Sequence, residues 1–232
     1  MIHEPPILTV RRDFPRPTAA QLAAVAAATT GWLVDAQDGR GSLGPRIKPV
    51  FPDEPALNRC FGTVLTCWCG PDDNLALAAA LAIARAGDVI VASAEGFEGS
   101  AICGDLLAGM MRNKGISGLI VDGAVRDLAG LREVGLPVFA RSVNPASCVR
   151  SGPGTVGLPI VVEGRTIASG DLLLADADGV VTVPLAEADR VLARLEAIKQ
   201  AENRTLAEVR AGLAVPGWVE ALLNSDRVRY VD

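Results

Sequence analysis

Two short stretches of this chain carry side chains whose types and spacing suit chemistry. They are Gly104-Asp105-Leu106-Leu107 and Asp122-Gly123-Ala124-Val125-Arg126-Asp127, with twenty residues between Asp105 and Arg126. The chain holds one histidine, His3, near its amino terminus, so histidine-based acid–base chemistry is disfavoured. Carboxylates, arginine, backbone amides or a bound metal must then carry any reaction. A glycine ahead of a helix lets the backbone come close to a ligand. The first amides of that helix have no internal partner and can bind an anion. Taken alone, Asp105 reads first as a helix cap. Arg126-Asp127 follows an apolar run and so belongs at a strand's carboxyl end, where α/β sheets bind ligands. Neighbouring residues of a helix do not face each other, so no simple ion pair is expected between these two. A split role fits them: the arginine on a substrate oxygen, the carboxylate on a metal. On these residues alone, Asp127 as a helix cap with Arg126 paired at the surface is an equal reading.

Other candidates rank lower. Glu133 reads as solvated helix surface, and Asp176 and Asp178 as turn formers. Asp72, Asp73 and Asn74 read as helix-start residues, with Asn74 within reach of a site. Gly154 and Gly157 bracket a loop unlike any phosphate-binding motif, and neither a Walker sequence nor a Gly-x-Gly-x-x-Gly fingerprint occurs. Five cysteines, an odd number, read as free and mostly buried thiols rather than as a zinc site.

The elements that must position these residues are legible as an alternation. The first 17 residues hold four of the 15 prolines and read as an extended arm. Thr18 with Gln21 forms a capping box for a helix ending near Gly31. The stretch 39–55 reads as loop with short strands. Gly62 to Cys69 is a strand, followed by a helix from Pro71-Asp72-Asp73 to Gly87, then the buried strand DVIVAS. A helix from about Gly104 to Asn113, strand GLIVD, a helix from Asp127 to Val134 and strand PVFA follow. This is the pattern of parallel strands with crossover helices. Beyond Pro145 the spacing predicts a hairpin at Glu163-Gly164 and two strands around Asp178-Gly179. From Leu185 the chain turns helical and ends a helix at Gly212.

Half of the 232 residues are hydrophobic and 4% are aromatic, which suits an α/β core of small aliphatics. A single compact domain over 18–232, with a central sheet and a helical C-terminal tail, is expected. The net charge of −5 argues against a nucleic-acid partner. No apolar run approaches the ~18 residues of a membrane span, and a cytoplasmic location is expected.

With these motifs in view, the chain from about Thr18 to Gly212 resembles the 4-hydroxy-4-methyl-2-oxoglutarate aldolase family, which also contains the ribonuclease activity regulator A-like (RraA-like) proteins. The resemblance rests on Gly31-Trp-Leu-Val-Asp35-Ala, Gly62-Thr-Val-Leu-Thr66, Pro71 to Leu77, Gly104 to Leu107, Asp122 to Asp127, Pro137 to Arg141, and Gly170-Asp171 leading to Val180. It implies a layered fold of the β/β/α swivelling type. It also implies a divalent metal-dependent pyruvate aldolase that uses Mg²⁺ or Mn²⁺. Asp127 resembles the direct metal ligand. Asp105 resembles the carboxylate holding metal-bound water, and Arg126 the residue on the pyruvyl oxygen. The amides of Leu106 and Leu107, after Gly104, would hold the pyruvyl carboxylate. Glu202 would reach the metal through water from a neighbouring subunit. The implied substrate is a small 4-hydroxy-2-oxo diacid such as 4-hydroxy-4-methyl-2-oxoglutarate or 4-carboxy-4-hydroxy-2-oxoadipate. Oxaloacetate decarboxylation would accompany its cleavage, in a homotrimer or homohexamer. The other branch of the family implies a non-catalytic regulator that binds and inhibits a ribonuclease.

Overall fold

The computed structural model describes residues 6–231, so His3 lies outside the described residues. In chain order the elements are β1 (Leu8–Val10), α1 (Ala19–Ala26), α2 (Thr30–Ala36), β2 (Lys48–Pro49), β3 (Cys60–Trp68), α3 (Leu75–Ile83), β4 (Asp88–Ser93), β5 (Ala101–Cys103), α4 (Asp105–Asn113), β6 (Gly118–Val125), α5 (Leu128–Val134) and β7 (Val138–Val143). There follow β8 (Gly154–Val156), β9 (Ile160–Val162), β10 (Arg165–Ile167), β11 (Leu172–Asp176), β12 (Gly179–Val183), α6 (Ala188–Arg210) and α7 (Gly217–Leu223). The chain divides into two compact units, one ending at Leu195 and the other starting at Glu196.

The first unit is built on a mixed sheet ordered β1-β8-β3-β4-β6-β7-β2. Its centre, β3-β4-β6-β7, is parallel, as the helix–strand alternation predicts. These strands are nearly continuous apolar runs because both of their faces are covered. Alternate residues go to different cores. Leu65, Ile90, Ala92, Leu119, Val121 and Val138 enter one core, with Leu77 and Ala80 of α3, Met111 of α4 and Leu131 of α5. Val64, Val89, Val91, Ile120 and Phe139 enter the other, with Ile160, Val162, Ile167, Leu173 and Val180. One face of the central sheet therefore carries helices and the other carries further β structure, a mixed α/β layering.

The antiparallel hairpins stand where the turn residues predict. β9 and β10 pair around Glu163-Gly164, and β11 and β12 around the Asp178-Gly179 turn. Glu163 and Gly164 both take positive φ, the backbone of the tight hairpin turn that such a pair favours. The Thr18–Gln21 capping box is present.

The proline-rich arm is extended at β1, where it pairs with β8 and adds an edge strand to the sheet. Several expectations need correction. The helix begun at Thr18 stops at Ala26, and Thr29 caps a second helix, α2. Asp176 holds that second start by accepting hydrogen bonds from Thr30 N at 2.9 Å and Thr30 Oγ1 at 2.7 Å, besides closing its own turn. α3 ends at Ile83 rather than Gly87, because the chain turns there to bring Asp88 under the Arg85 amide. Strand β6 does not stop at Asp122 but runs on to Val125.

The second unit holds the distal part of α6, together with α7. Within it Glu196 accepts a hydrogen bond from Gln200 one turn on, and the Tyr230 hydroxyl donates to Leu223 O. Its apolar residues Val209, Trp218 and Leu223 are exposed. Among the described residues, no helix is long and apolar enough to cross a membrane.

Candidate active site

The twenty residues between Asp105 and Arg126 close up because two parallel strands end side by side. After Asp122, β6 leaves β4 and pairs with the three-residue strand β5, through a register shift. The Arg126 amide then donates to Cys103 O at 2.9 Å. Each strand leads directly into a helix: β5 through Gly104 into α4, and β6 through Arg126-Asp127 into α5. The two starts meet at the carboxyl edge of the sheet.

Asp127 sits there in the left-handed region, with φ 60° and ψ 49°, and its side chain makes no capping bond. Asp127 thus stands at the N-cap position of α5, as one reading expected, but its carboxylate is not spent on capping. A non-glycine residue held in this region carries a backbone cost of about 1–2 kcal/mol, tolerated best by Asn and Asp. Such residues gather at functional sites. The same turn overturns the expectation that Arg126 and Asp127 would not meet. The left-handed backbone swings the carboxylate round, and Arg126 Nε lies 3.2 Å from Asp127 Oδ2. A second hydrogen bond runs from Arg126 to the Ser147 hydroxyl.

Asp105 is the first residue of α4, and Gly104 is its N-cap. Both neighbouring glycines are required by close approach. A Cβ at Gly104 would overlap the Asp127 carboxylate, and one at Gly130 of α5 would overlap Asp105. Asp105 Oδ1 accepts from the Leu106 amide at 2.7 Å, so that amide is already occupied by its own helix's carboxylate.

Gly104, Asp105, Leu106, Leu107, Arg126 and Asp127 all line one cavity of about 110 Å³, completed by Asn74, Ser147, Cys148 and Arg150 among others. Its size lies well below the roughly 300–1,000 Å³ of drug-sized pockets and suits a small acid. Sequence reasoning placed Asn74 within reach but missed Ser147 and Arg150. They lie on an irregular segment that crosses the sheet edge and is pinned there. Asp73 Oδ2 accepts from the Ser151 and Gly152 amides, and Val149 N donates to Asp72 O. No periodic signal marks such a segment. Glu202 belongs to α6, in the second unit.

The cavity's thiols are poor ligands and nucleophiles. Burial pushes the Cys103 thiol up to about 12 and raises that of Cys148, so both stay protonated near neutrality. Oxygen donors remain: the carboxylates of Asp105 and Asp127. This hard pair fits Mg²⁺ or Mn²⁺, which bind through one or two carboxylates and keep several waters. No cluster of three or more His, Cys, Asp or Glu that could hold a metal occurs among the described residues.

A larger hollow of about 870 Å³ lies elsewhere, lined by Trp68, Glu95, Asp122, Arg141 and Glu163 among others. Its buried Arg141 is committed to both Asp122 and Glu163. Burial raises the Asp122 carboxyl above its ordinary value despite that arginine. This is a structural ion network, whereas the smaller cavity gathers Asp105, Arg126 and Asp127 at the start of a helix and is the better site.

Comparison with known proteins places the chain in a family. A family described as Aldolase/RraA (RraA-like) matches residues 30–182. The chain belongs to this family. A protein of Halalkalibacterium halodurans, provisionally named a 4-hydroxy-4-methyl-2-oxoglutarate aldolase, is 36% identical over 197 residues, covering 84% of this chain and 91% of that protein. Among solved structures, the Streptomyces coelicolor protein RraAS2, titled an unusual member of the RNase ES inhibitor RraA family, superposes with a TM-score of 0.74 at 26% identity, covering 83% of this chain and 98% of that one. The RNA-processing inhibitor RraA of Thermus thermophilis superposes with a TM-score of 0.61 at 32% identity, over 68% of this chain and 93% of its own. The family match spans every lining residue of the cavity.

Proposed function

We propose that this chain is a divalent metal-dependent pyruvate aldolase that cleaves a 4-hydroxy-2-oxo diacid to pyruvate and a second keto acid. The observation that carries this reading is the meeting of Asp105, Arg126 and Asp127 at the start of α4, in one small cavity of a family that includes aldolases. Cleaving the C3–C4 bond leaves the electron pair on C3 as a pyruvate enolate, with negative charge growing on the C2 oxygen. Arg126 puts fixed positive charge at that oxygen, held in place by Asp127 and Ser147. Asp127 and Asp105 are the residues that would hold the metal, which when bound supplies Lewis acidity to the same oxo-acid group. Asp105, through a water it would hold, takes the C4 hydroxyl proton as the C4 carbonyl forms, and return of that proton to C3 converts the enolate to pyruvate. The amino end of α4 offers the Leu106 and Leu107 amides to the pyruvyl carboxylate, Leu106 exchanging its bond to Asp105 for one to substrate. Among the described residues no lysine lines this cavity, so a Schiff-base route has no nucleophile among them.

The test is pyruvate release over a panel of 4-hydroxy-2-oxo diacids, with oxaloacetate as a second substrate. Turnover is expected with Mg²⁺ or Mn²⁺ and is expected to vanish after exhaustive chelation. Oxaloacetate is expected to lose carbon dioxide at the same site, because that reaction passes through the same enolate. Full turnover after chelation sinks the metal-dependent reading. The likeness to RNA-processing inhibitors favours a second reading, a regulator that binds a ribonuclease. No pyruvate release from any substrate, together with inhibition of a ribonuclease at stoichiometric concentration, would select it.

The active form is proposed to be a trimer or pair of trimers, with Glu202 serving a neighbour's metal. Beside the cavity, Leu106, Met110 and Leu128 of α4 and α5 expose apolar surface, Leu106 to 79%. A covering subunit would bury this rim and complete the metal's shell. Asp127→Ala and Glu202→Ala chains are then each expected to be inactive alone. Mixing and refolding them is expected to restore pyruvate release, since a mixed trimer holds some sites with both carboxylates. Confirmed subunit exchange without recovery would assign Glu202 to its own subunit or to no catalytic role.

A further inference from the structure

Arg150 is the cavity's second arginine, and the proposed chemistry leaves it without a task. Arg126 already has the pyruvyl oxygen as its target and is held there by Asp127. Arg150 is exposed at the opening, yet it is not an unconstrained surface side chain. Its Nε donates to Asn74 Oδ1 at 3.1 Å. Asn74 is itself only 6% exposed, and its Nδ2 donates to Ile102 O at 3.0 Å, which fixes which way its amide points. The backbone beneath is tied as well: Asn74 N donates to Val149 O at 3.1 Å. A guanidinium has five N–H donors in a rigid fork. Here one is anchored, and no hydrogen bond or ion pair with another described residue involves its terminal nitrogens. An arginine anchored at Nε and open at its fork matches a carboxylate in two parallel hydrogen bonds.

We infer that Arg150 is the residue that selects diacids, by binding the carboxylate at the end of the substrate remote from the pyruvyl group. This rests on the aldolase reading and deepens it. The pyruvyl end is directed to Arg126 and the start of α4. A substrate with one carboxylate satisfies that end and leaves Arg150 in water. A substrate with a second carboxylate on C4 satisfies both ends. Arg150 takes no part in bond breaking, so its effect belongs in substrate binding and hence in KM.

The experiment compares wild type, Arg150→Met and Arg150→Lys on two substrates that differ at C4. The diacid is 4-hydroxy-4-methyl-2-oxoglutarate and the monoacid is 4-hydroxy-2-oxopentanoate. Competitive inhibition by 2-oxoglutarate and by 2-oxobutanoate gives the same comparison without turnover. Arg150→Met is expected to lower kcat/KM for the diacid by about 10- to 100-fold, chiefly through KM, as for loss of a hydrogen bond to a charged group. The monoacid is expected to change less than about 2-fold on that same argument. Arg150→Lys is expected to fall between, keeping the charge but losing the fork. Inhibition by 2-oxoglutarate is expected to weaken while that by 2-oxobutanoate holds. Equal losses on both substrates, or no loss on either, overturns the assignment while leaving the aldolase reading in place. A wild-type protein that releases pyruvate from neither substrate overturns both.

Discussion

Replacing Arg126 by alanine is expected to lower turnover by roughly 10²–10³-fold, the loss typical of removing one donor from a developing oxyanion. The argument is one of position. Arg126 follows directly from β6, its amide is fixed on Cys103 O, and its guanidinium is held between Asp127 and Ser147. Little stability is at stake. Its side chain is 37% exposed and its partner 41%, and such exposed pairs contribute about 0–1 kcal/mol. Melting temperature should therefore hold while pyruvate release collapses. Arg126→Lys is not expected to restore the rate, because a point charge cannot contact Asp127, Ser147 and a substrate oxygen in the planar geometry of a guanidinium. A folded Arg126→Ala protein with near-normal turnover would make this arginine structural.

Gly130→Ala is expected to lower activity by about 10²-fold without replacing a functional group, the scale of loss that follows a displacement of about 1 Å. On helix propensity alone, alanine would stabilise α5 by about 1 kcal/mol. The Cβ, however, would lie 2.6 Å from Asp105 Cβ and 2.8 Å from its Cγ, and closer still to Oδ2. The first of these atoms is fixed to the α4 backbone, so turning the carboxylate does not relieve the overlap. Either α4 and α5 separate or Asp105 moves, and overpacking of this kind costs about 1–3 kcal/mol. Gly109→Ala on α4 is the control. Its Cβ would meet only Val134 Cγ2, at 3.9 Å, and activity should be retained. Equal activity in the two variants would show that the α4–α5 spacing does not set the position of Asp105.

Much of this architecture was legible in the order of residue types. Continuous apolar runs such as DVIVAS and GLIVD mark strands buried on both faces, because only a sheet covered twice has no use for alternation. Thr18 with Gln21, and Glu163 with Gly164, carry their structure locally, in a capping box and a tight turn that need no distant partner. The family motifs marked Asp105, Arg126 and Asp127 for the same reason: each stands at the junction of a strand with a helix.

Tertiary structure decided how those residues meet. β5 has three residues, too few for a periodic signal, yet its pairing with β6 brings Asp105 beside Arg126. The contact between Arg126 and Asp127 depends on one left-handed residue, a conformation that aspartate permits but does not announce. Ser147 and Arg150 lie on irregular chain whose path is set by Asp72 and Asp73, more than seventy residues earlier. The sequence determined the elements and the chemical types at their ends, because hydrophobic periodicity and turn chemistry act between near neighbours. The site was decided by long-range pairing, register shift and the absence of a Cβ at Gly104 and Gly130, because those depend on which surfaces come together when the sheet closes.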